Sequence, residues 1–449
     1  MSSLINNQFN SRPRTIASAK GVWLTDLDDN RYLDGSSGAV VVNIGHGDEY
    51  VSRAVADQLS RVSFTHRGAF TSRRAEQLAD RLCTMTGYAG AWFVNSGSEA
   101  VEAAMQFALQ YFRETNRSEH TWFLSHKAGY HGNPLGSLST SGHARRAAVG
   151  SLAFPFPVLP TPYAFRDAQG ITDAEYAGML LTEARALIEQ HANHLAGIVI
   201  EPVGGATLGA TVPPDGYLQG IRRLCDEFGI LLIADEVMTG LGRTGSVLAV
   251  DHWDMRPDIV VLGKGLGAGY TPVAGALVSE ELLEAIAVGS GRILGGHTYA
   301  GNPLSMATAL AVLDVVQRDG LVERAKRTGE YLAEGLEQVR DRHPFVADAR
   351  GLGMLRALEF DRAAFELGQG VVTKMVTDVA MGHGLMLYGT TGGMNDAVLV
   401  APPLTIARDE VDFLIDALDR TLTQLQRTES SPKSSSVQPA FGASGAVRA

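Results

Sequence analysis

Four short apolar runs, Ala91-Trp-Phe-Val94, Ile198-Val-Ile200, Ile230-Leu-Leu-Ile233 and Ile259-Val-Val-Leu262, limit what this chain can fold into more than any other feature. They are unbroken rather than alternating, and they are separated by amphipathic helical stretches. Continuous β-branched and aliphatic runs suit strands covered on both faces, so residues from about Phe64 to Val316 are expected to form a mostly parallel sheet between two helix layers. In open sheets of this kind ligands bind beyond the carboxyl ends of the strands. The runs here lead into Ser96-Gly97-Ser98, Glu201, Asp235-Glu236 and Lys264.

The flanks read differently. Gly21 to Asp34 alternates apolar positions on either side of Asp28-Asp29-Asn30, which predicts two short strands joined by a turn. From about Leu321 to Arg427 helical periodicity encloses strand candidates at Met354–Glu359 and Ala397–Val400, an α+β pattern. The expected division is an N-terminal segment over 1–63 that contributes to a small domain, a large domain over 64–320, and the rest of the small domain over 321–427. Residues 428–449 are Ser/Pro/Gly/Ala-rich and are expected to be a disordered tail.

Bulk properties exclude several function classes. Hydrophobic residues at 45% allow a large core, and a net charge of -11 without a Lys/Arg run longer than a pair leaves no footprint for nucleic acid or an acidic membrane. The two cysteines, Cys83 and Cys225, are not spaced as a metal or redox pair and read as buried thiols. His191 and His194 lack a third ligand and read as a helix surface, so no metal is expected. No apolar signal core or membrane-length stretch is present, which points to the cytoplasm and to small-molecule partners.

Each strand end carries its own chemistry. Asn95 to Ala100 reads as a small-residue turn entering a helix, whose N–H groups and dipole suit a phosphate, although an ordinary serine cap explains it equally well. Asp235 closes an apolar run, and a carboxylate there requires a cation, a strong donor or a structural capping role. A protonated pyridine nitrogen meets that requirement and becomes an electron sink in return. Lys264 sits among Gly263, Gly265, Gly267 and Gly269, where a cofactor can approach the backbone and a desolvated amine can attack an aldehyde. Tyr130, in Tyr130-His131-Gly132, is placed to stack on a ring, or to be a core aromatic. Together these groups describe one cofactor, pyridoxal 5′-phosphate.

In order, Asn95-Ser-Gly-Ser-Glu-Ala100, Tyr130-His-Gly132, Glu201-Pro-Val203, Asp235-Glu-Val237, Gly242-Arg-Thr-Gly245, Lys264-Gly-Leu266 and Gly296-His-Thr-Tyr-Ala-Gly-Asn-Pro303 resemble the class III aminotransferases. The resemblance runs from about Trp23 to Ala407. It implies the fold type I α/β architecture, with a seven-stranded central sheet and a smaller α+β domain built from both ends of the chain. It also implies a homodimer with active sites at the interface and a ping-pong exchange between an amine donor and a 2-oxo acid acceptor.

By the same resemblance Lys264 carries the cofactor as a Schiff base and moves the proton, and Asp235 pairs with the ring nitrogen. The Ser96-Gly97-Ser98 turn seats the phosphate, Tyr130 and Val237 cover the two ring faces, and Thr298 reaches the phosphate from the partner subunit. Racemases, mutases and dialkylglycine decarboxylases share these blocks and are the alternative. Relatives that use ornithine or 4-aminobutyrate with 2-oxoglutarate carry charged residues where this chain has Asn133, Ala206 and Leu399. Pyruvate-using relatives often place an aromatic near Ala39-Val40-Val41. An apolar, roomy pocket and pyruvate are therefore expected, with Arg67 or Arg356 as candidates to meet a distal carboxylate.

Overall fold

The computed structural model describes residues 3–5, 13–365 and 371–430. Its centre is a seven-stranded sheet made of β4 (Gly90–Val94), β5 (Trp122–His126), β6 (Val158–Leu159), β7 (Leu195–Ile200), β8 (Leu231–Asp235), β9 (Ile259–Leu262) and β10 (Ala274–Val278). The spatial order is β4-β10-β9-β8-β7-β5-β6, and β10 alone runs against the rest.

Alternation along the apolar runs explains why this sheet is buried on both faces. Ile198, Ile200, Leu232, Ala234, Val260 and Leu262 point into one core, where they meet Leu78, Leu180, Ile188 and Ile221. Their neighbours Val199, Leu231, Ile233, Ile259 and Val261 point into another, against Ala100, Val101, Phe107 and Ile286. A strand that must bury both faces cannot alternate polar and apolar residues, hence the unbroken runs. β10 did not stand out in the sequence because Ala-Gly-Ala-Leu-Val has little β-branched character.

The predicted hairpin is present: β2 (Trp23–Asp26) pairs antiparallel with β3 (Arg31–Asp34). Asp26 shapes the turn by accepting the Asp28 and Asn30 N–H groups at 3.0 and 2.9 Å. β1 (Ile16–Lys20) flanks β2, and β13 (Leu385–Met386) joins β3 in parallel, so both ends of the chain share one sheet. A third sheet has the order β11-β12-β15-β14, from Val346–Leu352, Leu355–Phe360, Ala397–Val400 and Tyr388–Gly389. It packs with the helices Leu321–Arg342, Val371–Gly382 and Arg408–Ser430 in a core of its own. Residues 431–449, most of the expected tail, lie outside the described residues.

Arg243, fully buried, ties these parts together. It donates to Pro402 O at 2.6 Å, Met354 O at 3.3 Å, Asn43 Oδ1 at 2.7 Å and Ser37 Oγ at 3.1 Å. Cys225 is buried and Cys83 partly so, within the helices Tyr217–Phe228 and Arg73–Thr86. His191 and His194 lie against the Trp122 ring at 5.4 and 5.7 Å. No helix of the described residues is long and apolar enough to cross a membrane.

Candidate active site

The carboxyl ends of β4, β5, β7, β8 and β9 open on one cavity of about 280 Å³, lined among others by Gly97, Ser98, Tyr130, Glu201, Asp235, Val237 and Lys264. Residues from the two ends of the chain, Ala39, Tyr388 and Thr391, complete its wall. A larger, more open groove of about 630 Å³ shares none of these residues. The smaller cavity is the candidate because reactive groups converge in it.

The turn after β4 is a capped helix start. Ser96 Oγ accepts the Glu99 N–H at 3.2 Å, and Glu99 in return accepts the Asn95 N–H at 2.8 Å. Ser96 is thus used as a cap and does not line the cavity. The reason is geometric, since an N-cap hydroxyl points along the first turn of its own helix. Gly97 and Ser98 do line it, and their N–H groups, being in the first turn of Gly97–Glu114, have no helical acceptor. A Cβ on Gly97 would stand 2.8 Å from a Val237 methyl, and one on Gly132, at φ 143°, would stand 2.7 Å from Ser98 Oγ. Glycine at both positions lets three loops meet closely.

Asp235 ends β8 with 6% exposure. Its Oδ1 accepts the Val237 N–H at 3.1 Å, and its Oδ2 lies 2.8 Å from His131 Nδ1. Burial disfavours charge on His131, but the adjacent carboxylate outweighs it and raises the imidazole pKa. His131 Nε2 has no hydrogen-bond partner among the described residues. In the sequence His131 stands out only as part of the Tyr-His-Gly turn, because nothing in a linear sequence signals a contact to a residue on another strand end. Glu236 faces away and holds the Ala249 and Val250 N–H groups, each at 2.9 Å. Glu201 fixes the Tyr130 backbone by accepting its N–H at 3.1 Å, and burial pushes its pKa up to about 7.

Lys264 follows β9 with φ 39°, a left-handed conformation that costs a non-glycine residue energy. The turn is held by Gly267 N and Ala268 N, which donate to Lys264 O at 3.1 and 2.9 Å. Asn43, oriented by Arg243, leans on the Gly265 backbone. The Lys264 amine has no hydrogen bond or ion pair among the described residues. Burial brings its pKa down to about 8, although Asp235 and Glu201 oppose that shift.

Other expected positions fall elsewhere. Ala39 and Ala206 line the cavity, whereas Leu399 is fully buried in β15 and does not. Arg356 donates to the carbonyls of Gly353, Gly351 and Gly329, and Arg67 stacks on Trp92 at 4.2 Å, so neither reaches the cavity. The cavity is less apolar than expected, since Arg145, Tyr388, Thr239 and Thr391 line it too. Thr298 is exposed and lies outside the cavity of its own chain.

An unpartnered amine of lowered pKa, a buried carboxylate, a pair of free helix N–H groups and an aromatic side chain fit the aldehyde, ring nitrogen, phosphate and ring of pyridoxal phosphate. Residues 5–422 match the model of the family described as aminotransferase class III. The chain is 40% identical to the uncharacterized aminotransferase YodT of Bacillus subtilis, over 95% of this chain and 98% of that protein. It is 31% identical to the omega-aminotransferase of Caulobacter vibrioides, over 94% and 96%. It superposes with a TM-score of 0.88 and 32% identity on an amine transaminase from an uncultivated Pseudomonas species in its pyridoxal-phosphate-bound form, covering 94% and 98%.

Proposed function

Because the chain belongs to the class III aminotransferases, enzymes that use pyridoxal phosphate, we propose that it moves an amino group from a primary amine or ω-amino acid to a 2-oxo acid, with pyruvate the preferred acceptor, by alternating half-reactions. The observation that carries this reading is the convergence of the unpartnered Lys264 amine and the buried Asp235 carboxylate in one cavity. When bound, the cofactor supplies an aldehyde to take up the amino group and a ring to spread the electron pair left on the substrate carbon.

This chain's residues do the rest. With the cofactor in place, Lys264 Nζ would be its covalent anchor and, as a free amine, would move a proton between the substrate carbon and the cofactor. Asp235 keeps the ring nitrogen protonated, and His131 fixes the orientation of that carboxylate through its Nδ1. The Gly97 and Ser98 N–H groups bind the phosphate at the positive end of their helix, with the Ser98 hydroxyl adding a donor. Tyr130 and Val237 hold the ring from its two faces. Thr298 completes the phosphate site of a partner subunit, which makes the working enzyme a homodimer. The enzyme works in the cytoplasm.

The preference for pyruvate rests on neutral Ala206 in the cavity wall and on Asn133 beside it, where dicarboxylate-using relatives place charge. An unpaired second carboxylate entering such a site loses hydration worth several kcal/mol. An amine-donor panel run against pyruvate and 2-oxoglutarate, with ketone formation and visible absorbance as readouts, tests the reading. Absence of ketone from every pair would refute it, and ketone formed without any acceptor in excess of one equivalent per active site would indicate decarboxylation instead.

A further inference from the structure

Among the described residues Arg145 is the one guanidinium that lines the cavity, and it comes from a short helix, Ala144–Ala148, rather than from any strand end. Its Nη1 donates to Tyr130 OH at 3.3 Å and to Asn133 Oδ1 at 3.1 Å, and its carbon lies 5.7 Å from the Tyr130 ring centre. Every one of these partners is neutral. Among the described residues no carboxylate pairs with Arg145, and its Nε and Nη2 have no hydrogen-bond partner. The Nε and Nη2 edge is the face of arginine that binds a carboxylate through two parallel hydrogen bonds.

We propose that Arg145 binds the carboxylate of the amino acceptor, with Tyr130 and Asn133 steering its guanidinium so that the free edge meets a substrate standing over Lys264. This rests on the transaminase reading above and adds the acceptor's anchor to it. Lys264 is occupied with the cofactor and His131 is paired with Asp235 at 2.8 Å, so among the described residues that line the cavity Arg145 is the cation left without a carboxylate partner, and a second carboxylate finds none. The site therefore selects monocarboxylate 2-oxo acids. Asn133 has a part in this: the residue that takes the place of a relative's arginine is the acceptor that positions this one.

The test uses the holoenzyme of wild type, Arg145→Ala and Arg145→Lys, with each half-reaction followed separately by the visible absorbance of the cofactor. Arg145→Ala should slow the pyruvate half-reaction, in kcat/KM, about tenfold more than the half-reaction of 1-phenylethylamine, which has no carboxylate; solvent at the cavity mouth keeps the effect from being larger. Most of the loss should lie in KM, and Arg145→Lys should recover part of it. Calorimetric affinity for propionate, an unreactive monocarboxylate, should fall in parallel.

Equal losses in both half-reactions would mean that Arg145 only props Tyr130 and would overturn the proposal. So would unchanged propionate affinity, or a loss confined to 2-oxoglutarate, which would place Arg145 at a distal carboxylate. If the wild type itself converts no amine, the transaminase reading fails instead, and propionate binding still reports on Arg145.

Discussion

Acylation of the apoprotein across pH 6 to 11 should separate Lys264 from the exposed Lys20, Lys326 and Lys374. Only a neutral amine reacts, and desolvation in the cavity lowers the pKa of Lys264 from the usual 10.5 to about 8. At pH 7 about one Lys264 in ten is then neutral, against about one in three thousand for an unperturbed lysine, an advantage of about three hundredfold. A weaker base is also a poorer nucleophile, which on a Brønsted slope of roughly 0.4 removes about tenfold of that. The midpoint of the pH profile is consequently the cleaner readout.

Trace labelling with acetic anhydride, followed by mass spectrometry of the peptide containing Lys264, should give a rate that climbs below pH 8 and flattens above it. Added pyridoxal phosphate should protect this lysine alone. Asp235 favours the charged amine, so Asp235→Asn should move the midpoint further down. A midpoint above about 9.5, close to that of a free lysine, would refute the desolvation argument.

Lys264→Ala should still bind the cofactor through the phosphate seat and Asp235, yet borohydride should no longer fix it to the chain; reduced cofactor found on the variant by mass spectrometry would reassign the anchor. Gly97→Ala pushes a methyl against Val237 and should weaken cofactor affinity about tenfold or more, with Val237→Ala restoring part of it, because the clash is between those two side chains. Unchanged affinity measured by fluorescence titration would dismiss the tight fit. Arg243→Met leaves Asn43 Oδ1 and the Pro402 carbonyl without their buried donor and should cost about 3 kcal/mol, read as a loss of several degrees in Tm. An unaltered melting curve would count against Arg243 as a tie. Monomers should be inactive if Thr298 completes a neighbour's site, and full activity from a species that light scattering shows to be monomeric would contradict the composite site.

The central sheet was legible in the sequence for a physical reason. Strands buried on both faces must be apolar throughout, and Ile259 to Leu262 or Ile230 to Ile233 cannot be mistaken for a surface pattern. The same logic located the site, because a carboxylate or an amine at the end of such a run must have a use. β10 and the two-residue β6 gave no such signal. The His131 to Asp235 contact and the place of Arg145 escaped as well, since both depend on loops from different strands folding over one cavity. The role of Thr298 came from resemblance alone, Tyr130 was open between ring stacking and the core until the resemblance chose, and Ser96 was read as a ligand although its hydroxyl serves its own helix.

The parallel pairing of β3 with β13 joins residues about 350 positions apart, and it sets an order in time. At a synthesis rate of roughly 10 residues per second, β3 waits about half a minute for its neighbour to be made. Meanwhile the first hairpin presents an open edge to whatever else is nearby. Tyr388 and Thr391, which close the cavity, arrive at the same late moment. The strand ends that bear Gly97, Asp235 and Lys264 are made earlier, so a nascent chain can meet the cofactor before its wall is complete. A chain stopped short of residue 385 is expected to aggregate through that edge rather than to persist as a smaller enzyme.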